Sequence, residues 1–192
     1  MPLFPTKPKC PYCAVVLEEP PKRKKKCPHC GHYILVRGGK AVTEDEAFIM
    51  DWLVRLEPFG VSRRDFDRNR QELSRQFGAE AGIEDTVWRI LNGLVAHGYS
   101  VYWEMAHLAR QEGKDPKPYL SEASRLQLTE CKRDGLATVR VQTCNDDFVC
   151  PACKALYHKK FTVADALSQM PIPTLCQAKA GCRCWYSPEV RS

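Results

Sequence analysis

Cysteine is missing from the middle of this sequence: none occurs between residues 31 and 130, although the chain of 192 residues contains eleven. Long apolar runs are also missing, since no stretch approaches the ~18–20 apolar residues of a membrane-spanning helix. The first ten residues lack the charged-then-apolar layout of a signal peptide. We therefore expect a cytoplasmic protein with no membrane partner, in which cysteines bind metal rather than form disulfides.

The short motifs of common catalytic sites are absent too. No HExxH, HxE…PCxxC, P-loop or GxSxG pattern occurs. One alternative is a zinc-stapled ββα nuclease that uses His158 with Asp146 and Asp147, but the asparagine and histidine that should follow are missing. We expect no enzymatic activity and no small-molecule substrate.

Charge and cysteine divide the chain at the same two places. Residues 1–42 carry a formal charge of +7, residues 43–136 carry −4, and residues 137–192 carry +3. Four cysteines lie in the first part, one at the end of the second and six in the third. We predict three domains with these bounds: a zinc ribbon, a mostly helical bundle and a small C-terminal zinc-binding module, which together make an α+β protein.

Two CxxC pairs near the start give the strongest signal in the sequence. They are Cys10, Cys13, Cys27 and Cys30. Thiolates at two-residue spacing can approach one ion from a single turn, and four of them complete a tetrahedron around zinc. Residues 14–17 and 32–37 are predicted strands, and Gly38-Gly39 a hairpin turn. This arrangement resembles a zinc ribbon.

Other interpretations of these cysteines stay open at this point. Iron uses the same four thiolates, and disulfides would fit a secreted chain better. His29 and His32 are available as ligands, but four cysteines already fill a tetrahedron. We therefore favour zinc and place the two histidines outside its coordination sphere.

Five consecutive cations separate the two pairs and are predicted to project from a loop. They are Lys22, Arg23, Lys24, Lys25 and Lys26. Such a run could contact phosphates of DNA or RNA. It could equally form a solvated loop that offsets the negative charge of a zinc–thiolate centre.

The middle of the chain predicts five helices. Capping residues and glycines place them after Thr43, after Ser62, over about 83–97, after Ser100 and over about 118–134. The second helix is rich in arginine, but acidic residues interleave with the arginines. A solvated face with ion pairs is therefore favoured over a DNA-reading helix.

The C-terminal part predicts a second zinc site. Its candidate ligands are Cys150, Cys153, Cys176, Cys182 and Cys184, with His158 as a further alternative. We favour Cys176 and Cys182 beside the CxxC pair, because Cys182 and Cys184 on one extended strand would face opposite sides. A C-x-C pair can also supply two ligands, so Cys184 stays a candidate.

Several motifs of this part resemble the C-terminal tails of phage head-morphogenesis (minor head) proteins. They are CPACKAL at 150–156, KFT at 160–162, MPIP at 170–173 and CRCW at 182–185. The chain also resembles small bacterial and prophage zinc-ribbon proteins. Tyr157-His158 departs from the Asp-Gly of the tails, and no His-Pro precedes Cys182, which leaves Cys176 as a replacement for that histidine. The resemblance implies a virion-assembly or mobile-element setting and supplies no catalytic residue.

Two functions of different class follow. In the first, the protein is a non-catalytic adaptor whose basic ribbon contacts nucleic acid with little sequence preference. In the second, both zinc modules dock onto proteins of a larger assembly, with Tyr33, Trp185 and Tyr186 as anchors.

Overall fold

The computed structural model describes residues 8–19, 21–178 and 181–189. This part of the chain is α+β, as the sequence predicts, with eight α-helices and two three-stranded sheets. The chain divides into two compact units, Met1–Val87 and Trp88–Ser192. The predicted domain boundaries at residues 42 and 136 stay a prediction. Among the described residues, no helix has the length and apolar content needed to cross a membrane.

The first unit opens with a small antiparallel sheet. Its strands, in spatial order, are β1 (Lys25–Lys26), β2 (Tyr33–Arg37) and β3 (Lys40–Val42). The β2–β3 hairpin turns at Gly38 and Gly39, whose φ angles of 54° and 74° favour glycine. The strand predicted over 32–37 is confirmed with its hairpin, and it begins at Tyr33.

One strand prediction and one loop prediction in this region are wrong. Residues 14–17 form no strand; only an isolated bridge joins Lys9 and Val16, because the knuckle turn leaves too little extended backbone for a ladder. Lys25 and Lys26 lie in β1 rather than in a loop, since their backbone pairs with Ile34 and Tyr33 of β2.

Three helices follow the sheet: α1 (Glu44–Leu56), α2 (Arg63–Phe77) and α3 (Ile83–Gly93). Thr43 caps α1 by accepting a hydrogen bond from the Glu46 amide at 3.0 Å. Ser62 and Asp65 form a reciprocal capping box at the start of α2. Both predicted caps are confirmed, and Gly78 ends α2 with a positive φ.

The apolar stripes of this unit are narrower than the sequence suggests. Trp52 and Leu56 are fully buried, as are Phe66 and Val87. Phe77 is 71% exposed, because it is the last residue of α2 and lies beyond the buried turns. Arg37 of β2 donates to both carboxylate oxygens of Asp51, which ties the sheet to α1.

The second unit is built on two long helices, α4 (Tyr99–Gln111) and α5 (Lys117–Arg133). The predicted third helix ends earlier than expected: Val95–His97 forms a 3₁₀ turn, and Val95 is exposed. Gly98 rather than Ser100 precedes α4, and no side chain caps that end. Cys131 is buried on α5, as predicted.

A second antiparallel sheet packs against these helices. Its strands are β4 (Thr138–Gln142), β5 (Lys160–Thr162) and β6 (Trp185–Pro188), with β4 in the centre. Three short helices complete the unit: α6 (Pro151–Leu156), α7 (Val163–Gln169) and α8 (Pro171–Thr174). The predicted strand around 137–143 is confirmed.

Tyr186 holds the edge of this sheet in the core. Its side chain is fully buried, and its hydroxyl donates to the Ile172 carbonyl at 3.2 Å and accepts from the Ile172 amide at 3.3 Å. On the free edge of β6, the side-chain amide of Gln127 pairs with the Tyr186 backbone in both directions. The edge is therefore covered by a helix side chain. Tyr186 cannot be a docking anchor, so that expectation is corrected.

Candidate metal centres

The first four cysteines converge on one point. The sulfur atoms of Cys10, Cys13, Cys27 and Cys30 all lie within 4.8 Å of one another. The Cys10–Cys30 and Cys13–Cys27 sulfur separations are 3.8 and 3.9 Å. Four sulfurs at about 2.3 Å from a tetrahedral metal lie about 3.8 Å apart, whereas a disulfide bond is about 2.05 Å long. All eleven cysteines are unbonded, and this cluster could hold a metal ion.

Two matching turns shape the first cluster. The Ala14 amide donates to the Cys10 carbonyl at 2.9 Å, and the Gly31 amide donates to the Cys27 carbonyl at 3.0 Å. Ala14 and Gly31, each one residue past a CxxC pair, have positive φ angles of 58° and 77°. The second turn uses glycine for this conformation, while the first forces an alanine into it.

The thiols of the first cluster cannot all be ionised without a cation. The Cys30 amide donates to Cys27 and lowers the pKa of that thiol to about 6. The His32 amide lowers the pKa of Cys30, but burial and the neighbouring thiols outweigh it and raise that pKa to about 12. A divalent ion would relieve this conflict, because it attracts every thiolate and cancels two of their four negative charges.

The predicted histidine alternatives lie outside this cluster. His32 is exposed, and its ring stacks on that of Tyr12 with centroids 4.5 Å apart. The Tyr12 hydroxyl also accepts a hydrogen bond from the Glu44 amide at 2.8 Å, which joins the first knuckle to the start of α1. His29 is exposed as well and belongs to no group of close ligands within the part of the chain that the structure describes. The role of Tyr12 was missed from the sequence, because the contact closes over 32 residues.

The second cluster contains five cysteines rather than four. Cys150, Cys153 and Cys176 have sulfurs within 4.8 Å of one another, and so do Cys153, Cys182 and Cys184. The Cys150–Cys176 and Cys153–Cys182 separations are both 3.8 Å. Cys153 is common to both groups, so the cluster is centred on it. It could hold a metal ion and has one thiol more than a tetrahedron requires.

The sulfurs of Cys182 and Cys184 lie closer together than the sequence predicts. We expected an extended strand with the two thiols on opposite sides. Residues 181–184 instead form no regular element, and both side chains are buried beside Cys153. An irregular segment is not bound by the two-residue alternation of a strand, so both thiols can turn to the same side.

The CxxC pair of this cluster begins a helix rather than a knuckle. Cys150 is the N-cap of α6 and Cys153 lies in its first turn. Burial raises the pKa of Cys150, but the Gln177 amide, which donates at 3.4 Å, and other donors outweigh it and lower that pKa to about 7. Burial raises the pKa of Cys153, and raises that of Cys176 to about 11.

The remaining candidates of the C-terminal part lie apart from the cluster. His158 is exposed, and its ring contacts that of Tyr157 at 3.8 Å. It belongs to no group of close ligands among the described residues. Cys144 is exposed, and its sulfur donates to the Arg183 carbonyl at 3.6 Å. Asp146 is paired with Arg183, which lowers the pKa of Asp146, and is not near His158 in any described contact.

The basic segment lies on the surface of the first unit. All five side chains from Lys22 to Lys26 are exposed. Lys24 pairs with Glu44 at 3.3 Å, and its ammonium group lies 4.3 Å from the centroid of the Tyr33 ring. Over the described ranges, the other four cations have no acidic partner.

The arginines of α2 are engaged within the protein. Arg63 pairs with Glu46 at 2.5 Å and with Asp67 at 2.9 Å, and Arg68 pairs with Asp65 at 2.8 Å. Arg70 pairs with Glu80 at 2.8 Å. The expectation of a solvated, ion-paired face is confirmed for these three arginines.

Comparisons with known proteins add no relative. No protein-family model, curated protein or solved structure matches this chain.

Proposed function

We propose that this chain is a non-catalytic, cytoplasmic zinc-binding adaptor whose basic N-terminal ribbon contacts nucleic-acid phosphates with little sequence specificity. One observation carries the proposal. Five exposed cations lie between two ligands of one metal-capable cluster, and only one of them is paired with an acid within the described residues. We take the four remaining cations as the contact surface.

Zinc is the metal we propose for both clusters. Cysteine-rich sites with sulfur separations near 3.8 Å suit a tetrahedral ion of soft-ligand preference. Four thiolates leave no open coordination position for substrate, which favours a structural role over catalysis. Free thiols in ligand spacing also fit a reducing compartment.

The ribbon has the features of a phosphate-binding surface. The pairing of β1 with β2 places Lys25 and Lys26 on a hydrogen-bonded strand rather than in an irregular loop. Each phosphate that a cation neutralises releases counterions, so four available cations would give useful affinity at low salt. The sequence of the ribbon contains no base-reading motif, and a run of cations suits sequence-independent contact with phosphates.

A second candidate function is docking onto proteins of a phage or mobile-element assembly. The second unit exposes large apolar side chains: Phe148 is 79% exposed, Leu175 53% and Trp185 39%. Tyr33 of the ribbon is 45% exposed. Exposed aromatic residues are typical anchors of protein interfaces, and this observation supports protein docking as the second candidate function.

A salt titration separates the two functions. The full chain is titrated with a fluorescent single-stranded DNA and RNA of mixed sequence over increasing salt. We expect the slope of log affinity against log salt to fall by about 3 when Lys22, Arg23, Lys25 and Lys26 are changed to Gln. The matched control changes the same number of exposed cations in the second unit to Gln, at Lys117, Lys132, Lys154 and Lys159, and should leave the slope nearly unchanged.

Two outcomes contradict the nucleic-acid function. One is the absence of binding at low salt. The other is an equal loss of slope in the two quadruple variants. It would show that the cations of the ribbon contribute no more to binding than other surface cations do. Either result favours protein docking. Elemental analysis of the purified chain tests the metal separately: about two zinc ions per chain are expected, and iron in their place would refute the zinc assignment.

A further inference from the structure

An exposed aromatic ring lies among the cations of the ribbon. Tyr33 is the first residue of β2, and it is 45% exposed. Lys26 of β1 is its direct partner across the antiparallel pair, so the two side chains project from the same face of the sheet. Lys26 has no acidic partner among the described residues. A ring and an available cation therefore lie side by side on this face.

Lys24 contacts the same ring. Its ammonium group lies 4.3 Å from the centroid of the Tyr33 ring and 3.3 Å from the carboxylate of Glu44. The charge of Lys24 is therefore balanced within the protein, and we assign no phosphate to it. A cation covers only one face of a ring, and Tyr33 keeps nearly half of its surface exposed despite this contact.

A second pair of rings adjoins the first ring. Tyr12 stacks on His32 with centroids 4.5 Å apart and ring planes at 15°. Both residues are exposed. The Glu44 amide donates to the Tyr12 hydroxyl at 2.8 Å, and the Glu44 carboxylate is the partner of Lys24. Glu44 thus connects the stacked pair to the Lys24–Tyr33 contact. We call the following residues the aromatic face of the ribbon: Tyr12, Lys24, Lys26, His32 and Tyr33.

Rings beside cations suit a single strand better than a duplex. Base pairs in a duplex stack on one another, so their faces are not available to a side chain, whereas an unpaired base can stack on an aromatic ring. Charge by itself gives the opposite preference. Each neutralised phosphate contributes about 0.9 to the salt slope with duplex DNA and about 0.7 with a single strand. A preference for single strands must therefore come from the rings.

We infer that the aromatic face binds single-stranded nucleic acid, with unpaired bases stacked on its rings. In this arrangement Tyr33 stacks on one base, and Lys26 contacts a phosphate beside it. The Tyr12–His32 pair stacks on a second base. The inference rests on the proposed nucleic-acid function and specifies its substrate class. Stacking accepts every base, because each base has a flat π-face, so it agrees with the weak sequence preference proposed for the ribbon.

Strand preference of the full, metal-loaded chain tests the inference. A labelled strand of mixed sequence is titrated at low salt, alone and annealed to its complement. We expect the wild type to bind the single strand at least about fivefold more tightly than the duplex. Tyr33→Ala should weaken single-strand binding about fivefold or more. It should leave the duplex affinity and the salt slope unchanged, because the lost ring carries no charge.

Two variants separate stacking from a change of fold. Tyr33→Phe keeps the ring and should keep the single-strand affinity within about twofold of the wild type. Phe77→Ala removes a more exposed aromatic residue of the same unit, at the end of α2, and should change neither affinity. The metal content of Tyr33→Ala should equal that of the wild type, which shows that the ribbon is folded.

A second measurement needs no variant. A thymidine oligonucleotide of about six nucleotides is added to the wild-type chain. It should move the ring resonances of Tyr33 and His32 upfield, because a stacked base shields the ring that it covers. The ring resonances of Phe77 should stay in place.

The outcomes separate this inference from the proposed function. The inference alone is overturned by binding whose salt slope the quadruple Gln variant of the ribbon loses, but whose affinity is equal for single strand and duplex. Unchanged single-strand affinity in Tyr33→Ala, or unchanged ring resonances of Tyr33, also overturns it alone. Absence of binding to both strand forms at low salt overturns the inference together with the proposed function.

Discussion

The two cysteine clusters differ in what surrounds them. The first has four cysteines between residues 10 and 30, and its buried core consists of Cys10, Leu17, Cys27 and Ile34. The second has five cysteines between residues 150 and 184 and lies in a core of sixteen buried residues, which includes Tyr186, Ile172 and Val141. Half of the residues of the first core are thus cysteines, whereas most residues of the second core are not.

This difference predicts that the folding stability of the two regions depends on metal to different degrees. A core of four side chains buries too little apolar surface to offset the loss of chain entropy. The metal proposed for the first cluster would then supply most of the folding free energy of the ribbon. The second unit has a sheet, two long helices and a continuous apolar core, so a metal bound there would add to a fold that already has other support.

The largest expected effect separates the clusters directly. Cys27→Ser should remove one metal ion per chain and unfold the ribbon, because structural zinc supplies about 10 kcal/mol or more in domains of this size. Cys176→Ser should also remove one metal but leave the sheet around Tyr186 folded. Metal content and amide hydrogen exchange of β2 and β4 measure both outcomes.

The control for both variants is Cys144→Ser, whose thiol is exposed and belongs to neither cluster. It should keep two metals and full protection. Equal loss of protection in β4 on Cys176→Ser and in β2 on Cys27→Ser would break the comparison, since both clusters would then be equally essential to their units.

An intermediate effect distinguishes the members of the second cluster. Cys153 belongs to both groups of close sulfurs, so Cys153→Ser should abolish the second metal site. Cys184→Ser should weaken metal binding by about tenfold or less, because it keeps both sulfur pairs at 3.8 Å, Cys150–Cys176 and Cys153–Cys182, whereas Cys176→Ser breaks one of them. Competition with a chromophoric chelator measures the two affinities. A complete loss of metal on Cys184→Ser would show that Cys184, not Cys182, is the fourth ligand.

The smallest expected effect lies within the first cluster, between its two turns. Ala14 has a positive φ of 58° that glycine adopts without steric cost, so Ala14→Gly should tighten metal binding by a free energy of up to about 1 kcal/mol. Gly31→Ala should weaken it by a similar amount, because the same strain is introduced at φ 77°. The same chelator competition detects both changes, and opposite signs are required for the explanation to stand.

The sequence was informative where the structure depends on local spacing. The two CxxC pairs, the hairpin at Gly38-Gly39 and the caps at Thr43 and Ser62 are set by residues a few positions apart, and the structure contains all of them. The α+β class followed from the same features. Burial was harder to predict: Phe77 and Val95 fit an apolar stripe but lie at helix ends, beyond the core.

Long-range features escaped sequence reasoning for a common reason. The contact of Tyr12 with α1 and the pairing of Gln127 with Tyr186 join residues more than thirty positions apart. The aromatic face of the ribbon has the same origin. No local periodicity marks such pairs, because they depend on how separate elements are brought together.

By itself, the sequence determined that this chain has two cysteine-rich regions with metal-ligand spacing, a basic segment inside the first, and a helical part between them. Only the tertiary structure decided that five cysteines rather than four meet in the second cluster, that Tyr186 is buried, and which cations of the basic segment keep no acidic partner among the described residues. The physical reason is that ligand type and turn chemistry are local properties of the chain. Burial, cluster membership and unpaired charge are properties of the packing, which brings distant residues into contact.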